Sequence, residues 1–186
     1  MLTISSNGYW ESNTDIGHVH DQPLCESIYK FLKLNEINNI LDLGCGTAKY
    51  AKYFISNNII CEAYDGNPNT EKISEGIGKV LDLSKPVQFQ SLYDCVMSLE
   101  VGEHIPEQFE EIFLDNVCNN TNKWIILSWA IIGQQGNGHV NCKNNHYIIE
   151  KLKNKNFKYM PEISQVFRNE STAPWFKNTI MVFQKI

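Results

Sequence analysis

Apolar positions along this chain follow two rhythms that take turns. Runs in which apolar residues are continuous or alternate mark strands over 39–43, 59–64, 80–83, 93–99 and 123–129. Between them apolar residues recur at helical spacing, as Tyr50, Ala51 and Phe54 do within 47–56. Helices are therefore predicted over 24–34, 47–56, 107–117 and 145–153. Another begins after Asn67-Pro68, where proline suits a first helical turn. Two strand-like stretches, 159–167 and 179–184, close the pattern. Strand and helix in alternation predict an α/β protein with a mostly parallel sheet and helices on both faces.

Composition narrows this picture. At 186 residues the chain suits one domain, 1–186, with a substantial core. The net charge of -5 argues against DNA and makes RNA a poor partner, because phosphate neutralisation needs a basic face. Arg168 is the single arginine, so no arginine cluster for phosphates exists. Heavy use of Asn, Ile and Lys fits an AT-rich genome, as in a parasite or a large DNA virus. The six cysteines are scattered without a Cys-x-x-Cys pair, which predicts reduced thiols and a cytoplasmic setting, the host's if the source is viral. No signal-peptide pattern opens the sequence. The longest apolar run, around 124–132, is far shorter than the ~20 residues a membrane span needs, so no membrane partner is expected. The stretch 133–138 (Gly-Gln-Gln-Gly-Asn-Gly) reads as a mobile loop; without a following Gly-Lys-Ser/Thr it is no phosphate loop.

The candidate chemistry begins at 39–47, Asn-Ile-Leu-Asp-Leu-Gly-Cys-Gly-Thr: a strand with an acid inside it, running into a glycine turn. A second strand ends in Tyr64-Asp65-Gly66, and Asp65 can accept both hydroxyls of a ribose. A dinucleotide site wants Gly-x-Gly-x-x-Gly, but Lys49 stands at the third glycine position, and Asp42 would repel a pyrophosphate while suiting a cation. The segment resembles motif I of the class I S-adenosylmethionine (SAM)-dependent methyltransferases, hydrophobic-Asp-hydrophobic-Gly-x-Gly-x. That resemblance implies a Rossmann-like, seven-stranded, mostly parallel sheet with an antiparallel terminal hairpin, and it extends over nearly the whole chain.

It further implies site residues. Asp42, Gly44 and Gly46 would line the amino-acid end of SAM, and Asp65 and Gly66 the ribose. Asp82-Leu83 fits the place where an acid accepts the adenine amino group, although Asp82 equally suits a helix cap or a solvated turn. Ser98 and Leu99 would back the methionine moiety. Residues 1–23 would form a lid carrying Tyr9, Trp10, His18 and His20, each a substrate contact or an ordinary surface residue. Trp129 would stack on a sugar or pack, and Trp175 and Phe176 would close the core beneath the hairpin.

After the fourth strand comes Glu100-Val101-Gly102-Glu103-His104. Glu-x-x-Glu-His resembles a motif of ubiquinone-pathway O-methyltransferases and small-RNA 2′-O-methyltransferases, in which a later histidine completes a divalent-metal site. The matching residues are Glu100, Glu103, His104 and His139, with His104, Glu103 and His139 as catalytic candidates. Oxygen and imidazole ligands suit Mg²⁺, Mn²⁺, Fe²⁺ or Zn²⁺, of which Mg²⁺ or Mn²⁺ is the expected cofactor. The alternative is a capping Glu103 with His104 as a metal-free base. The leading expectation is a SAM-dependent O-methyltransferase acting on a hydroxyl of a small polar acceptor, a sugar, glycan or nucleotide-sugar. The alternatives are a small-RNA 2′-O-methyltransferase and a non-catalytic SAM-binding partner subunit.

Overall fold

In the computed structural model, which describes residues 3–15 and 17–186, the chain opens with a short antiparallel ribbon, Thr3–Ile4 (β1) against Trp10–Glu11 (β2). Helix α1 (Gln22–Leu34) follows. Asp21 caps it by accepting from Leu24 N, and a proline stands in its first turn. Then come β3 (Asn39–Leu43), α2 (Lys49–Ser56), β4 (Ile60–Asp65), the single turn α3 (Thr70–Ile73), β5 (Gly78–Val80) and β6 (Tyr93–Ser98). A 3₁₀ turn, Glu107–Phe109, leads into α4 (Glu110–Asn119), and β7 (Thr121–Leu127), α5 (Asn145–Asn154) and β8 (Phe157–Tyr159) follow. The last elements are α6 (Pro161–Glu170), α7 (Phe176–Thr179) and β9 (Met181–Lys185).

The seven main strands pair in the order β5-β4-β3-β6-β7-β9-β8. β3 runs parallel to β4 and β6, with Asp42 opposite Ala63 and Met97. β9 is antiparallel to both β7 and β8. Because β3, β6 and β7 are covered on both faces, they read as mostly apolar runs. One face, with Ile40, Met97 and Ile126, packs on α1 and α6. The other, with Leu41, Val96 and Ile125, packs on α4 and α5 through Phe113 and Leu152. Each such side chain contributes roughly 1.5–3 kcal/mol by leaving water.

The crossover from β5 to β6 contains no helix. Asn116 in α4 and Asn120 at its C-terminal cap, four residues apart, satisfy its backbone instead. Asn116 accepts from Val87 N (2.8 Å) and donates to Leu83 O and Lys85 O. Asn120 accepts from Phe89 N and donates to Val87 O.

The tail departs from the sequence expectation. The stretch 159–167 is a strand only to Tyr159, and α6 begins at Pro161. Proline presets the first helical turn, and Met160, Ile163 and Phe167 recur at the helical period, burying Phe167 against Phe31. The third strand lies two residues before the expected 80–83, so Asp82 falls in a turn.

Candidate active site

A cavity of about 370 Å³ opens where β3, β4 and β6 end. Its floor is the turn after β3. Gly44 N and Cys45 N both donate to Tyr64 O, and Gly46 N donates to Asp65 Oδ2 (2.9 Å). Asn67 N donates to Asp65 Oδ1, so the carboxylate is clamped by two main-chain amides with lone pairs left for a ligand. Gly44 and Gly46 have φ of +83° and +54°. A Cβ on Gly46 would stand 2.5 Å from the His18 ring, and one on Gly44 would strike Val101. Asp42 lines the same floor at 3% exposure. Burial, then the nearby Asp65 charge, pushes its pKa up to about 8.

Residues 3–15 and 17–21 lie across the mouth as a strap. Tyr9 packs over Gly66, His18 over Gly46, and the Gly8 backbone against the His104 carbonyl. Asn67 Nδ2 donates to Ser12 O (2.8 Å), and Asn7 Nδ2 to Asp82 Oδ2 (2.8 Å). The remainder of the expected 1–23 lid belongs to α1, and Met1, Leu2 and Ile16 lie outside the described residues. His20 bonds Gln22 and packs edge-on to Tyr50, and both His20 and His18 face the cavity.

Asp82 and Leu83 also line the cavity. Asp82 is already well used, because Oδ1 accepts from Ser84 N and Oγ and Oδ2 from Asn7 and Lys85. Partial burial disfavours its charge, but these hydrogen bonds outweigh that and hold the pKa below the ordinary value.

Ser98 does not reach the cavity. It is fully buried, and its Oγ donates to Leu43 O (2.6 Å), crosslinking β6 to β3, so Met97 and Leu99 face the opening in its place. Trp129 packs rather than stacks on a ligand. It is fully buried, with Nε1 donating to Asn141 O (2.6 Å) and the ring filling the space a side chain at Gly102 would need. Trp175 and Phe176, expected only in the core, also line the opening.

Beyond β6, three of the four expected metal ligands converge. One donor atom each from Glu103, His104 and His139 lie within 4.8 Å of one another. Glu103 O accepts from both Val140 N and Asn141 N (2.9 Å each), which draws the loop bearing His139 over the Glu103 side chain. His104 Nδ1 faces Gly138 O (3.2 Å) and His139 Nδ1 faces Gln134 O (3.0 Å). A carbonyl only accepts, so both rings carry their proton on Nδ1 and offer bare Nε2 atoms. Both Glu103 carboxylate oxygens are buried without a hydrogen-bond partner. Burial and then the Glu100 charge push the Glu103 pKa well above the carboxylate range. Burial, reinforced by His139, pushes His104 down to about 4. Orphaned carboxylate oxygens facing two imidazole lone pairs fit a divalent cation.

Glu100 is not part of this cluster. Its φ of +53° turns the side chain aside, where Oε2 accepts from Gln134 Nε2 (2.7 Å) and Oε1 from Thr179 Oγ1 (3.0 Å). A left-handed glutamate costs about 1–3 kcal/mol, and the bond from Glu100 N to Ser128 Oγ helps to hold it. Asn7 and Gln134 are site residues that motif reading passes over, since lone amides in loops carry no periodicity. Asp21, an acid just before Pro23, carries an N-cap signature, but its bonds from Thr172 N and Ala173 N leave no local signal.

No protein-family model matches this chain, and no curated protein does either. Solved structures do match. The SAM-bound amino pentose methyltransferase CalS10 of calicheamicin biosynthesis, from Micromonospora echinaspora, superposes with a TM-score of 0.70 at 10% identity, covering 92% of this chain and 94% of that one. SAM-bound magnesium protoporphyrin IX methyltransferase from Synechocystis superposes with 0.65 at 15% identity, covering 92% and 88%. The methyltransferase domain of a bacterial Hen1 (CtHen1) superposes with 0.60 at 14% identity, covering 89% and 98%. The chain therefore has the Rossmann-like fold of the class I methyltransferases, as its first motif suggested.

Proposed function

We propose that this protein is a SAM-dependent O-methyltransferase that methylates a hydroxyl of a small polar acceptor, a sugar, glycan or nucleotide-sugar, with a divalent cation at Glu103, His104 and His139. The observation that carries this reading is the pair of orphaned Glu103 oxygens beside two bare imidazole nitrogens, at one end of a cavity whose other end is the Gly44–Gly46 turn and Asp65. SAM and SAH are bound in solved structures of this fold.

SAM supplies an electrophilic methyl group, and Mg²⁺ or Mn²⁺ supplies charge that acidifies and orients vicinal hydroxyls. The protein's residues do the rest. Asp65 accepts the ribose hydroxyls, and Asp42 faces the cationic amino-acid end. With a cation bound, Nε2 of His104 and His139 would hold it and the acidified hydroxyl would give its proton to solvent; without one, His139, held by Gln134 O, or His104, held by Gly138 O, would take that proton at Nε2. The S–CH₃ bond breaks as the O–CH₃ bond forms, leaving SAH and a methyl ether. Strap and loop exclude water from the reacting atoms.

The acceptor end presents Gln134, Gln135 and Asn137 and, among the described residues, no lysine or arginine. Neutral amides suit hydroxyl groups better than a phosphate chain, which supports the sugar reading over the RNA one. The six free cysteines suit a reducing, cytoplasmic setting. No helix among the described residues is long and apolar enough to cross a membrane. The test is SAH release over a panel of sugars and nucleotide-sugars. Turnover should stop in EDTA and return with Mg²⁺ or Mn²⁺; full turnover in EDTA removes the metal from the proposal. Submicromolar RNA binding in a gel shift would put the RNA reading first. Donor binding with no SAH on any acceptor would favour a partner subunit.

A further inference from the structure

Trp10, on the strap strand β2, stands between the two ends of the cavity. Its ring centroid is 5.4 Å from that of His18, which covers the Gly46 turn, and 5.4 Å from that of His104, which belongs to the Glu103 cluster. His139 continues this aromatic wall at 5.0 Å from His104. Gly17, with φ of +90°, packs on the benzo edge of Trp10, where a Cβ would come 2.6 Å from Cζ3; the indole is thereby seated against the strap. Trp10 Nε1 is buried without a partner among the described residues.

Methyl transfer is an in-line displacement, so the donor sulfur must lie between the ribose end and the acceptor end. That is the stretch the Trp10 ring walls. Among the described residues that line the cavity Lys49 is the one lysine, and it faces Asp15 at 3.8 Å. The Glu100 carboxylate also lines the cavity, but each of its oxygens is engaged, Oε2 by Gln134 and Oε1 by Thr179. An aromatic ring attracts a cation held over its face and has no such preference for a neutral thioether.

We propose that Trp10 recognises the positive charge of the donor sulfonium, and so lets the site hold SAM more firmly than the neutral product SAH. This deepens the methyl-transfer reading and rests on it. The strap is then more than a cover: once the charge leaves with the methyl group, one of its anchors weakens and product release is eased.

Calorimetric titration of the full chain tests this with three probes: SAM, SAH and sinefungin, whose protonated amine stands where SAM has its sulfonium. Trp10→Leu should weaken SAM and sinefungin by about 5- to 30-fold and SAH by less than about twofold. Trp10→Phe should keep all three within about threefold of wild type. Trp10→Met, a second non-aromatic replacement, makes the same comparison should the leucine variant not fold. Equal weakening of all three probes, or none, overturns the inference while leaving the donor site intact. A wild-type protein that binds none of them overturns the methyltransferase reading and this inference with it.

Discussion

Asp21 binds the amides of a loop far along the chain: its Oδ2 accepts from Ala173 N at 2.7 Å and from Thr172 N at 2.8 Å, while its Oδ1 caps α1 at Leu24 N. One carboxylate thus ties the root of the strap to the segment that carries Trp175 to the cavity mouth. Asp21→Ala leaves three amides without their acceptor. Losing the cap costs about 1 kcal/mol, and each buried amide left bare about 1–3 kcal/mol. Urea unfolding should show a total loss of roughly 3–7 kcal/mol, and donor affinity should fall as the strap loosens. Asp21→Asn should recover only part of this, because its NH₂ group cannot accept.

Asp42 makes donor binding pH-dependent. Its pKa in the folded protein, about 8, lies above the ordinary carboxylate value, so the empty site is largely protonated at pH 7. A cationic donor favours the carboxylate, and binding must release a proton. Affinity for SAM should therefore rise between pH 6.5 and pH 8 and then level. Calorimetry in buffers of different ionisation enthalpy should register the proton, and Asp42→Asn should abolish it.

The same group sets the sign of a stability effect. Between the unfolded value near 4 and the folded value near 8, the folded state binds more protons than the unfolded one, so ligand-free stability falls as pH rises through that window. Asp42→Asn should flatten this slope and raise stability at pH 8 in urea melts.

Glu103→Gln separates metal binding from folding. It removes a buried acid that has no partner, so the metal-free protein should be as stable as wild type or more so. Wild type should gain melting temperature with added Mn²⁺, and the variant should not. Turnover with Mg²⁺ should drop by about a hundredfold or more. A variant that keeps its Mn²⁺ shift would place the cation elsewhere.

Asn116→Ala should be among the most damaging changes far from the cavity. It strips partners from the Leu83 and Lys85 carbonyls and the Val87 amide, in a crossover with no helix of its own. About 2–4 kcal/mol should be lost in urea unfolding. Donor affinity should fall with it, because Asp82 and Leu83 are seated by that crossover.

The central strands are legible because β3, β6 and β7 are buried on both faces and so are written as mostly apolar runs. The tail was misread over 159–167 because a short edge strand and an amphipathic helix share one apolar stretch, and only Pro161 marks the join. Within the site, Asp42, Gly44, Gly46 and Asp65 were legible because a tight turn restricts residue type. Ser98 was misplaced because strand alternation says that a side chain changes faces but not which face meets the cavity. Glu100, which the Glu-x-x-Glu-His resemblance implies as a ligand, stays out of the cluster because a left-handed backbone at that one residue directs its carboxylate to Gln134 and Thr179.

Local rules of the chain by themselves determined the alternating α/β architecture, the glycine turn after β3 and the acids flanking it, since periodicity, turn geometry and charge act over a few neighbouring residues. Tertiary structure alone decided that Glu103, His104 and His139 meet, that Asp21 holds Ala173, and that Trp10 stands between the two ends of the cavity. Those relationships join residues far apart in sequence, and they depend on how loops fold back over a sheet edge, which no local pattern specifies.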